Sequence, residues 1–281
     1  LNGISSGMTS ANLVLTDLTR NLPFDSYSFN FDAASSDYID ASLTSDVYAC
    51  SLWFKPNTAI SSGSTLQYLI NFGGTWNGIN LGEMTGSLTG EVIIVTDASV
   101  AGRSAYTGGT ISADWHHLCV NWSGSVYEIW LDGVNVQNAT TGTPQLISAT
   151  DLQIGRRSTS PEYYFDGKIS NISIFNEELT STEVMKLYAN GIPQDLTTFT
   201  PAPVAWWTLG SNSFFNGTNY ICRDLIGSND GTSANAGVDA IVGDSPRSSA
   251  NGTGTNMDVP SNLEGQTKYS SNNSWSINMS E

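Results

Sequence analysis

Two turn-rich stretches of the chain place aromatic side chains next to hydrogen-bonding ones. In the first, Trp76 and Asn77 stand between Gly73-Gly74 and Gly78. The second stretch contains Arg156, Arg157, Tyr163, Tyr164 and Asp166. Aromatic rings pack on the apolar faces of sugar rings, while Asn, Asp and Arg bond the hydroxyls. Since loops between strands commonly carry binding residues, both stretches are candidate carbohydrate sites, and rings packed in a core are the alternative.

Nucleophilic catalysis finds little support in the residue pattern. The two histidines, His116 and His117, adjoin in a run of strand length and therefore point to opposite faces. No Ser or Cys is tied to either histidine by spacing, and at least one is expected to be structural. We predict no catalytic residues.

The three cysteines, Cys50, Cys119 and Cys222, show no Cys-x-x-Cys spacing, which argues against a zinc or redox site. Cys50 and Cys119 lie in apolar runs and are expected to be small buried side chains. A disulfide between them is the alternative, if their strands are neighbours.

The elements that must position these residues are β-strands. Residues 115–122 and 126–134 form two apolar-rich runs, and the second is broken by Asp132-Gly133. Asp-Gly next to alternating runs predicts a hairpin with a type I′ turn, because both residues tolerate positive φ. Apolar and polar residues alternate in residues 127–132, so one face is expected to be buried. The pattern is typical of an antiparallel β protein.

Composition restricts the partners. The 281 residues are 39% hydrophobic and 10% aromatic, which is enough for one large sandwich or one domain with part of a second. Ten basic residues against 26 acidic ones give a net charge of −16. A nucleic-acid partner is not expected, because phosphate binding needs clustered Lys and Arg. No apolar run approaches the ~18 residues of a membrane span, and no signal-peptide pattern is present.

Residues 1–192 read as short strands separated by turns, followed by one helix. The helix is predicted from Thr180 to Tyr188, with Thr180 as N-cap and Glu183 completing a capping box. Gly191 and the proline after it end the helix.

Beyond this domain the composition changes. Residues 193–203 hold three prolines and are predicted to be a linker. Residues 204–281 form a Ser/Asn/Gly-rich extension whose strongest strand signal, at residues 204–209, contains Trp206 and Trp207.

The extension contains a candidate repeat. Residues 230–234 resemble residues 2–6, and Ile241-Val242 aligns with Leu13-Val14 at the same offset of 228 residues. After an insertion, residues 275–279 match residues 27–31 in polarity. The pattern predicts one period of a tandem array and the start of a next repeat, and chance similarity of Ser/Asn-rich stretches is the alternative.

Several motifs together resemble a laminin-G-like domain of the concanavalin A-like lectin/glucanase superfamily. They are Phe29–Asp32 with Asp37–Asp40, Ala49–Lys55, Trp115-His116-His117, Leu131-Asp132-Gly133, Leu152–Gly155 and Phe165–Phe175. The similarity runs from about Phe24 to Tyr188 in the family's order. It implies an all-β, two-sheet antiparallel jelly-roll sandwich with one short C-terminal helix.

The resemblance also implies a role for the extension. Such domains open with a Trp-containing strand before an Asp-rich turn, and residues 1–23 contain no such strand. Trp206–Leu209 and Asp224–Asp230 supply it after the domain instead. We expect residues 204–230 to complete the sandwich of their own chain or of a neighbour, because an unpaired sheet edge promotes aggregation.

The superfamily's catalytic patterns are absent from the sequence. Its retaining glucanases use Glu-x-Asp-x-x-Glu, whereas Glu128 and Asp132 have the wrong spacing, and Glu83 and Glu91 have turn spacing. The Arg-rich and His-plus-Tyr strands of its alginate lyases are also missing. We therefore predict that the protein is not an enzyme.

A calcium site is implied by the same resemblance. Relatives often hold Ca²⁺ between an Asp-Ser-Gly-Asn-like turn and an acidic pair on a strand, through oxygen ligands. The corresponding residues are Asp224, Ser228, Asn229, Asp230 and Asn171. Here Ser170 and Asn171 replace the acidic pair, and an ordinary Asx turn is the alternative.

The sequence favours a non-catalytic carbohydrate- or surface-recognition module, calcium-assisted and part of a repeat array. Its expected partner is a polysaccharide or surface glycan, and its expected location is extracellular, on a cell surface or on a virion. Similar repeats occur in virion proteins of marine bacterial viruses and in bacterial surface proteins. The main alternative is a structural scaffold that self-associates through tandem repeats. A glycoside hydrolase or polysaccharide lyase is the minor alternative.

Overall fold

A computed structural model of the protein describes residues 24–84, 89–97, 102–158, 162–189 and 191–246. The predicted next-repeat strand at residues 275–279 and the N-terminal half of the candidate repeat lie outside the described residues. The strands are β1 (Ser28–Phe31), β2 (Tyr38–Ala41), β3 (Ser45–Val47), β4 (Ala49–Pro56), β5 (Ile60–Ser61), β6 (Gln67–Asn71), β7 (Gly78–Leu81), β8 (Glu91–Thr96), β9 (Arg103–Thr107), β10 (Thr110–Ile111), β11 (His116–Trp122), β12 (Tyr127–Leu131), β13 (Val134–Asn135), β14 (Ala139–Thr141), β15 (Ile147–Ala149), β16 (Leu152–Ile154), β17 (Gly167–Phe175), β18 (Ala205–Trp207), β19 (Phe214–Phe215), β20 (Tyr220–Cys222), β21 (Gly231–Ala234) and β22 (Ile241–Val242). The helix described, α1, spans Ser181–Tyr188.

Two large antiparallel sheets face each other. The eight-stranded sheet has the order β13-β12-β11-β4-β17-β1-β22, with β18 also paired to β17. The ten-stranded sheet has the order β14-β9-β8-β7-β6-β16-β2-β21-β20-β19. Alternate side chains of both sheets meet in one apolar core that includes Phe29, Leu52, Ile79, Ile129 and Trp207. The predicted all-β, two-sheet sandwich is confirmed.

The hairpin predicted from the Asp-Gly signal is present. Strand β11 pairs with β12, and β12 pairs with β13 across Asp132-Gly133. Both turn residues have positive φ, 50° for Asp132 and 79° for Gly133, as a type I′ turn requires. Tyr127 and Ile129 are buried, as the alternation predicted.

The structure also confirms the predicted helix and its capping box. The Thr180 side chain accepts a bond from the Glu183 backbone, and the Glu183 carboxylate accepts one from the Thr180 backbone. This capping box satisfies N–H groups that have no partner inside the helix. Val184 and Leu187 are buried against the eight-stranded sheet in a cluster with Phe175 and Trp206.

The cysteines are free and buried. Cys50 and Cys119 are on the neighbouring strands β4 and β11, but Cys50 lies opposite Val120 and Cys119 opposite Ser51. The two thiols therefore face opposite sides of the sheet, Cys50 in the main core and Cys119 in the cluster under α1. The alternative of a disulfide between them is wrong.

The extension packs on the sandwich. Strand β18 pairs with the second half of β17, beyond a register shift between Ser170 and Ser173, while β1 pairs with the first half. Trp206 and Trp207 are fully buried. Residues 193–203, predicted to be a linker, pack through Leu196 and Phe199 against the cluster under α1.

Candidate functional site

The outer face of the ten-stranded sheet, which points away from the main core, holds an unusual set of polar side chains. In register across β6, β7 and β8, the core side is formed by Ile70, Ile79 and Val95. The opposite side is formed by Tyr68, Asn80 and Ile94. Because side chains alternate along a strand, these three lie next to one another on one surface. We call this surface the outer face.

Tyr68 is the centre of the outer face. Its ring lies over Gly78 of the neighbouring strand, where a Cβ would stand 3.0 Å from the ring and 2.4 Å from the Ile70 carbonyl oxygen. The residue is fully buried, and its hydroxyl has no hydrogen-bond partner among the described residues. Burial raises the pKa of Tyr68, so the hydroxyl stays neutral and can both donate and accept.

An arginine sandwiched by aromatic rings lies beside Tyr68. The Arg157 guanidinium carbon is 4.6 Å from the Trp76 ring centroid and 4.9 Å from that of Tyr163, which is cation–π geometry. The Tyr163 ring is in turn stacked on Tyr68, with centroids 6.3 Å apart. Arg157 also forms an ion pair with Glu162. The rings and the guanidinium thus fix one another before any ligand binds.

Amide and hydroxyl groups continue the outer face toward β8. The Asn80 Nδ2 donates to Thr96 Oγ1 at 3.4 Å, and the Thr96 hydroxyl donates to the Trp76 carbonyl. Asn80 is fully buried, and within the described part of the chain its Oδ1 accepts no hydrogen bond. Two buried polar atoms, Tyr68 Oη and Asn80 Oδ1, are therefore unpartnered on adjacent strands.

A buried ion pair lies where β8 and β9 form the outer face. Glu91 and Arg103 approach to 3.7 Å between Oε1 and Nη1, and Glu91 Oε2 accepts from the Met84 backbone at 3.0 Å. Burial raises the pKa of Glu91, while the Met84 N–H and the Arg103 charge oppose the shift. Both residues are buried, so their charges are held in a fixed arrangement at the sheet surface.

A second aromatic–arginine pair lies further along the same face. Tyr38 and Asp40 alternate with the core residue Ile39, and the Arg156 guanidinium stands 3.3 Å from the Tyr38 centroid. Gln153 connects the group, since it donates to Asp40 and accepts from Arg156 Nε. Strand β2 is two strand spacings from β6, which is about 10 Å.

The six residues predicted to bind a ligand are only partly brought together. Trp76 and Tyr163 share Arg157, whereas Arg156 belongs to the second pair. Asn77 is buried and directs its Nδ2 toward the carbonyls of Phe72 and Ser148, each at 3.4 Å. Tyr164 is half-buried, and Asp166 accepts from Asn57 at 2.9 Å in a loop contact. Their binding roles stay predictions.

Sequence reasoning missed Tyr68, Asn80, Glu91 and Arg103. They belong to four strands and are adjacent only through sheet pairing. A signal was available at residues 78–81, where the alternation Gly-Ile-Asn-Leu places Asn80 opposite the core. Arg103 and Glu91 carried no comparable local pattern.

In the acidic turn predicted to hold calcium, the Asp224 carboxylate is saturated by N–H donors. The Asp224 carboxylate accepts five bonds of 2.9 to 3.2 Å, from the backbones of Trp206, Ile226, Gly227 and Asn229 and from the Asn229 side chain. Burial would raise the pKa of Asp224, but these donors outweigh it and hold the pKa below its ordinary value. N–H donors occupy the lone pairs that a cation would need.

The remaining predicted ligands do not gather around a common point. Asp230 accepts from the Asp224 backbone at 2.9 Å, and Ser228 is exposed. Asn171 bonds the Thr208 carbonyl on one side of β18, while Asp224 pairs with Trp207 on the other. Among the described residues there is no group of three or more His, Cys, Asp or Glu that could hold a metal. This arrangement does not fit a calcium ion, and calcium binding stays a prediction.

The histidines separate as their opposite orientations predicted. His117 is fully buried, with Nε2 2.8 Å from Ser51 Oγ, and burial lowers its pKa to about 4. His116 bonds Asp132 at 2.7 Å and Ser112 at 3.0 Å, which resembles a catalytic relay.

The Ser112 hydroxyl is poorly placed for nucleophilic attack. It lies 2.9 Å from the Asp114 carboxylate, which can hold its proton and would repel the oxyanion of an acyl-transfer intermediate. We therefore assign no nucleophile to this group.

No helix in the described residues has the length and apolarity needed to cross a membrane.

Comparison with known proteins identifies the superfamily of this chain. Residues 32–185 match the family model described as the concanavalin A-like lectin/glucanases superfamily. No curated protein matches the chain significantly in sequence.

Solved structures show the same fold. A candidate carbohydrate-binding protein of Bacteroides ovatus superposes with a TM-score of 0.57 at 16% identity, covering 81% of this chain. The chain spans 62% of the length of that protein.

Two further structures are more distant. Domain 4 of the GH43 extracellular arabinanase of Geobacillus stearothermophilus, solved with arabinotriose, gives a TM-score of 0.38 at 16% identity, over 52% of this chain and 68% of that one. The SAP-like pentraxin of Limulus polyphemus gives 0.39 at 13% identity, over 73% and 95% of the two chains.

Proposed function

Because this chain belongs to the concanavalin A-like lectin/glucanases superfamily, we propose that it is a non-catalytic module that binds a surface glycan. The proposed binding surface is the outer face, with Trp76, Arg157 and Tyr163 as its aromatic–cationic platform. The proposed setting is outside the cell, on a cell surface or on a virion.

One observation carries the proposal. Next to the platform, the Tyr68 hydroxyl and the Asn80 carbonyl oxygen are buried and, within the described residues, unpartnered. A buried polar group without a partner costs about 1–3 kcal/mol. Several such atoms occur in the described residues, and these two differ from the others in lying next to the aromatic–cationic platform. Sugar hydroxyls both donate and accept, so one ligand hydroxyl could satisfy either atom. Because both atoms are buried, side chains packed over them, such as the Tyr163 ring on Tyr68, must first shift aside.

The charges favour a neutral glycan over an acidic one. Arg157 faces Glu162 and Arg103 faces Glu91, so each arginine of the platform end already opposes a carboxylate. The whole chain carries a net charge of −16, which repels polyanions at long range.

The same ion pairs argue against hydrolysis. A retaining glycosidase needs two carboxyl groups about 5–5.5 Å apart, one of them free to act as a nucleophile. On the outer face, Glu91 and Glu162 each neutralise an arginine instead. Their arrangement suits holding guanidinium groups in place rather than attacking a sugar.

A glycan array of neutral polysaccharides, followed by calorimetry on the best ligand, tests the proposal. We expect Trp76→Ala to weaken binding at least about tenfold, because removing a central aromatic anchor costs about 1.4 kcal/mol or more. Tyr27→Ala is the matched control, since Tyr27 is an exposed aromatic residue that directly precedes β1 of the other sheet.

Equal affinities of wild type and Trp76→Ala would contradict the assigned surface. No binding to any glycan at millimolar concentration would favour the scaffold alternative. Release of reducing ends that stops in Glu91→Gln would show catalysis.

The second aromatic–arginine pair refines the proposal. Since Tyr38 lies on the same face, a long glycan chain can contact both pairs, whereas a monosaccharide can contact only one. Tyr38→Ala should weaken binding of oligosaccharides and leave monosaccharide binding unchanged.

A further inference from the structure

The side of the eight-stranded sheet that points away from the main core is covered by helix α1 and residues 191–199, which we call the cover. Ser51 of β4, Ser173 of β17 and Trp206 of β18 lie on this side in one row, since Ser173 stands opposite both Ser51 and Trp206. Their neighbours along each strand belong to the main core. Leu196 and side chains of α1 are buried in one cluster with Trp206. We call this enclosed side of the sheet the covered face.

Five side chains on or beside the covered face carry a buried polar atom that has no hydrogen-bond partner among the described residues. The atoms are His117 Nδ1, Asn171 Oδ1, Ser173 Oγ, Trp206 Nε1 and Thr208 Oγ1. None of these residues is more than 5% exposed. His117 is on β11, Asn171 and Ser173 are on β17, Trp206 is on β18 and Thr208 follows it directly. Since β4 lies between β11 and β17, the five residues fall within three strand spacings across the sheet, or about 15 Å.

Direct hydrogen bonds fix these side chains but satisfy only part of their bonding capacity. The His117 imidazole has its Nε2 2.8 Å from Ser51 Oγ, and its Nδ1 is without a partner within the described chain. Asn171 Nδ2 donates to Ser170 Oγ at 2.7 Å, and Ser170 Oγ donates in turn to the Thr208 carbonyl at 3.3 Å. His117 and Asn171 are therefore held in place while one polar atom of each stays available.

Aromatic rings close over the polar atoms of the covered face. The centroid of the Tyr188 ring, on α1, lies 5.8 Å from that of the His117 ring. The Phe24 ring centroid lies 4.9 Å from that of Trp206. The Phe24 backbone donates to the Pro193 carbonyl at 3.1 Å, which ties Phe24 to the cover. These contacts separate the unpartnered atoms from bulk solvent.

The five atoms require a small neutral partner that both donates and accepts hydrogen bonds. The Trp206 N–H only donates and Asn171 Oδ1 only accepts, whereas the Ser173 and Thr208 hydroxyls do either. A cation would be opposed by the indole N–H, and an anion by the amide oxygen. Five unpaired buried polar atoms would together cost a free energy comparable with the whole stability of a domain. Water is the smallest molecule with both functions, and it commonly bridges buried polar groups.

We propose that ordered water molecules lie between the covered face and the cover and bond His117, Asn171, Ser173, Trp206 and Thr208. A buried water makes about three hydrogen bonds, so five atoms call for roughly two molecules or more. The cover is then joined to the sheet partly through water instead of by direct contacts alone. This site lies on the opposite sheet from the proposed glycan surface, so either proposal can fail without the other.

Water contacts of two adjacent tryptophan side chains test the proposal. Trp206 Nε1 has no partner in the described structure, whereas Trp207, equally buried, donates its indole N–H to the Asn229 carbonyl at 2.8 Å. In the full chain, labelled on its tryptophan indole nitrogens, NMR cross-relaxation with water should be at least about fivefold stronger at Trp206 than at Trp207. Trp206→Phe and Trp207→Phe assign the two signals, because each removes one indole N–H. Equal signals, or no signal at Trp206, would overturn the proposal.

Ser173→Ala distinguishes bound water from a nearby hydroxyl whose proton exchanges with solvent. If water gives the signal at Trp206, at least about half of the signal should remain, because the other polar atoms still hold the water. Loss of the signal would assign it to the Ser173 hydroxyl and contradict the proposal. Ser148→Ala is the matched control, since Ser148 is an exposed serine on β15 and its replacement should leave the signal unchanged.

A high-resolution electron-density map of the protein gives an independent check. Density for a water molecule is expected within about 3 Å of Trp206 Nε1 and not at Trp207 Nε1, whose hydrogen is already donated to Asn229. A map without such density beside Trp206 would count against the proposal as strongly as a missing NMR signal.

Discussion

The outer face and the acidic turn at residues 224–230 are both polar, but their polar atoms are in opposite states. In the turn, five N–H donors saturate the Asp224 carboxylate. On the outer face, the Tyr68 hydroxyl and Asn80 Oδ1 are buried and lack partners within the described residues. A saturated group stabilises the fold, whereas an unsatisfied group next to a preformed aromatic platform is suited to a ligand. The family resemblance implied a calcium ion at the turn, whereas neither Tyr68 nor Asn80 was predicted to bind a ligand.

The largest expected effect is at the saturated carboxylate. Asp224→Ala removes the acceptor of five N–H bonds and leaves buried donors unpaired, so we expect a loss of about 3 kcal/mol in unfolding free energy. Chemical denaturation followed by circular dichroism measures it. Asp166→Ala is the control, since Asp166 accepts one side-chain bond, from Asn57, and should cost less than about 1 kcal/mol. Equal costs would break the comparison.

A third kind of buried group is His117, whose Nδ1 has no partner in the described structure but is enclosed by Trp53 and Tyr188. Its pKa is lowered by burial to about 4 from 6.5. The unfolded chain therefore binds a proton more readily, and stability falls as the pH drops from about 6.5 to 4. The full loss is about 3 kcal/mol, at 1.36 kcal/mol for each pKa unit.

Unfolding free energies measured between pH 7 and pH 4 test this slope. His117→Asn should flatten it, whereas the Asp224 carboxylate, with its pKa below the ordinary value, acts only at lower pH. A slope unchanged in His117→Asn would assign the proton uptake to another group.

Tyr68→Phe separates binding from stability more finely. The variant removes an unpartnered hydroxyl, so the unfolding free energy should change by less than about 1 kcal/mol, and in the stabilising direction. Glycan affinity should nevertheless fall about fivefold, because a ligand bond is lost. Calorimetry on the ligand found by the array measures the second effect. Reduced stability with unchanged affinity would show that Tyr68 is structural.

The smallest expected effect concerns calcium. A cation that binds only the folded state adds about 2.7 kcal/mol at a hundredfold excess over Kd. Since Asp224 is already saturated, we expect the same Tm in EDTA and in millimolar Ca²⁺. A higher Tm in calcium, abolished by Asp224→Asn, would establish the ion that the sequence resemblance implied and would reverse our interpretation of the turn.

The elements that could be predicted from the amino-acid sequence are those whose signals are local. The Asp132-Gly133 turn, the alternation in β12 and the Thr180–Glu183 capping box each depend on residues a few positions apart. Backbone preferences and side-chain caps act over that range, so these predictions could be made without the fold. The ordered set of such motifs also carried the family resemblance.

The set of residues that forms the outer face could not be predicted from the sequence, because it depends on strand pairing. Tyr68, Asn80 and Arg103 come from different strands, and sheet pairing alone makes them neighbours. Local sequence also could not choose between Arg156 and Arg157, because loop geometry places one over Tyr38 and the other between Trp76 and Tyr163.

The bonding of the acidic turn also depended on the tertiary structure. Its Asp and Asn residues were visible in the sequence, but whether the Asp224 oxygens met a cation or N–H donors depended on β18 lying beside them. Hydrogen-bond saturation is a property of the packed chain, because it depends on which donors the fold brings within about 3 Å.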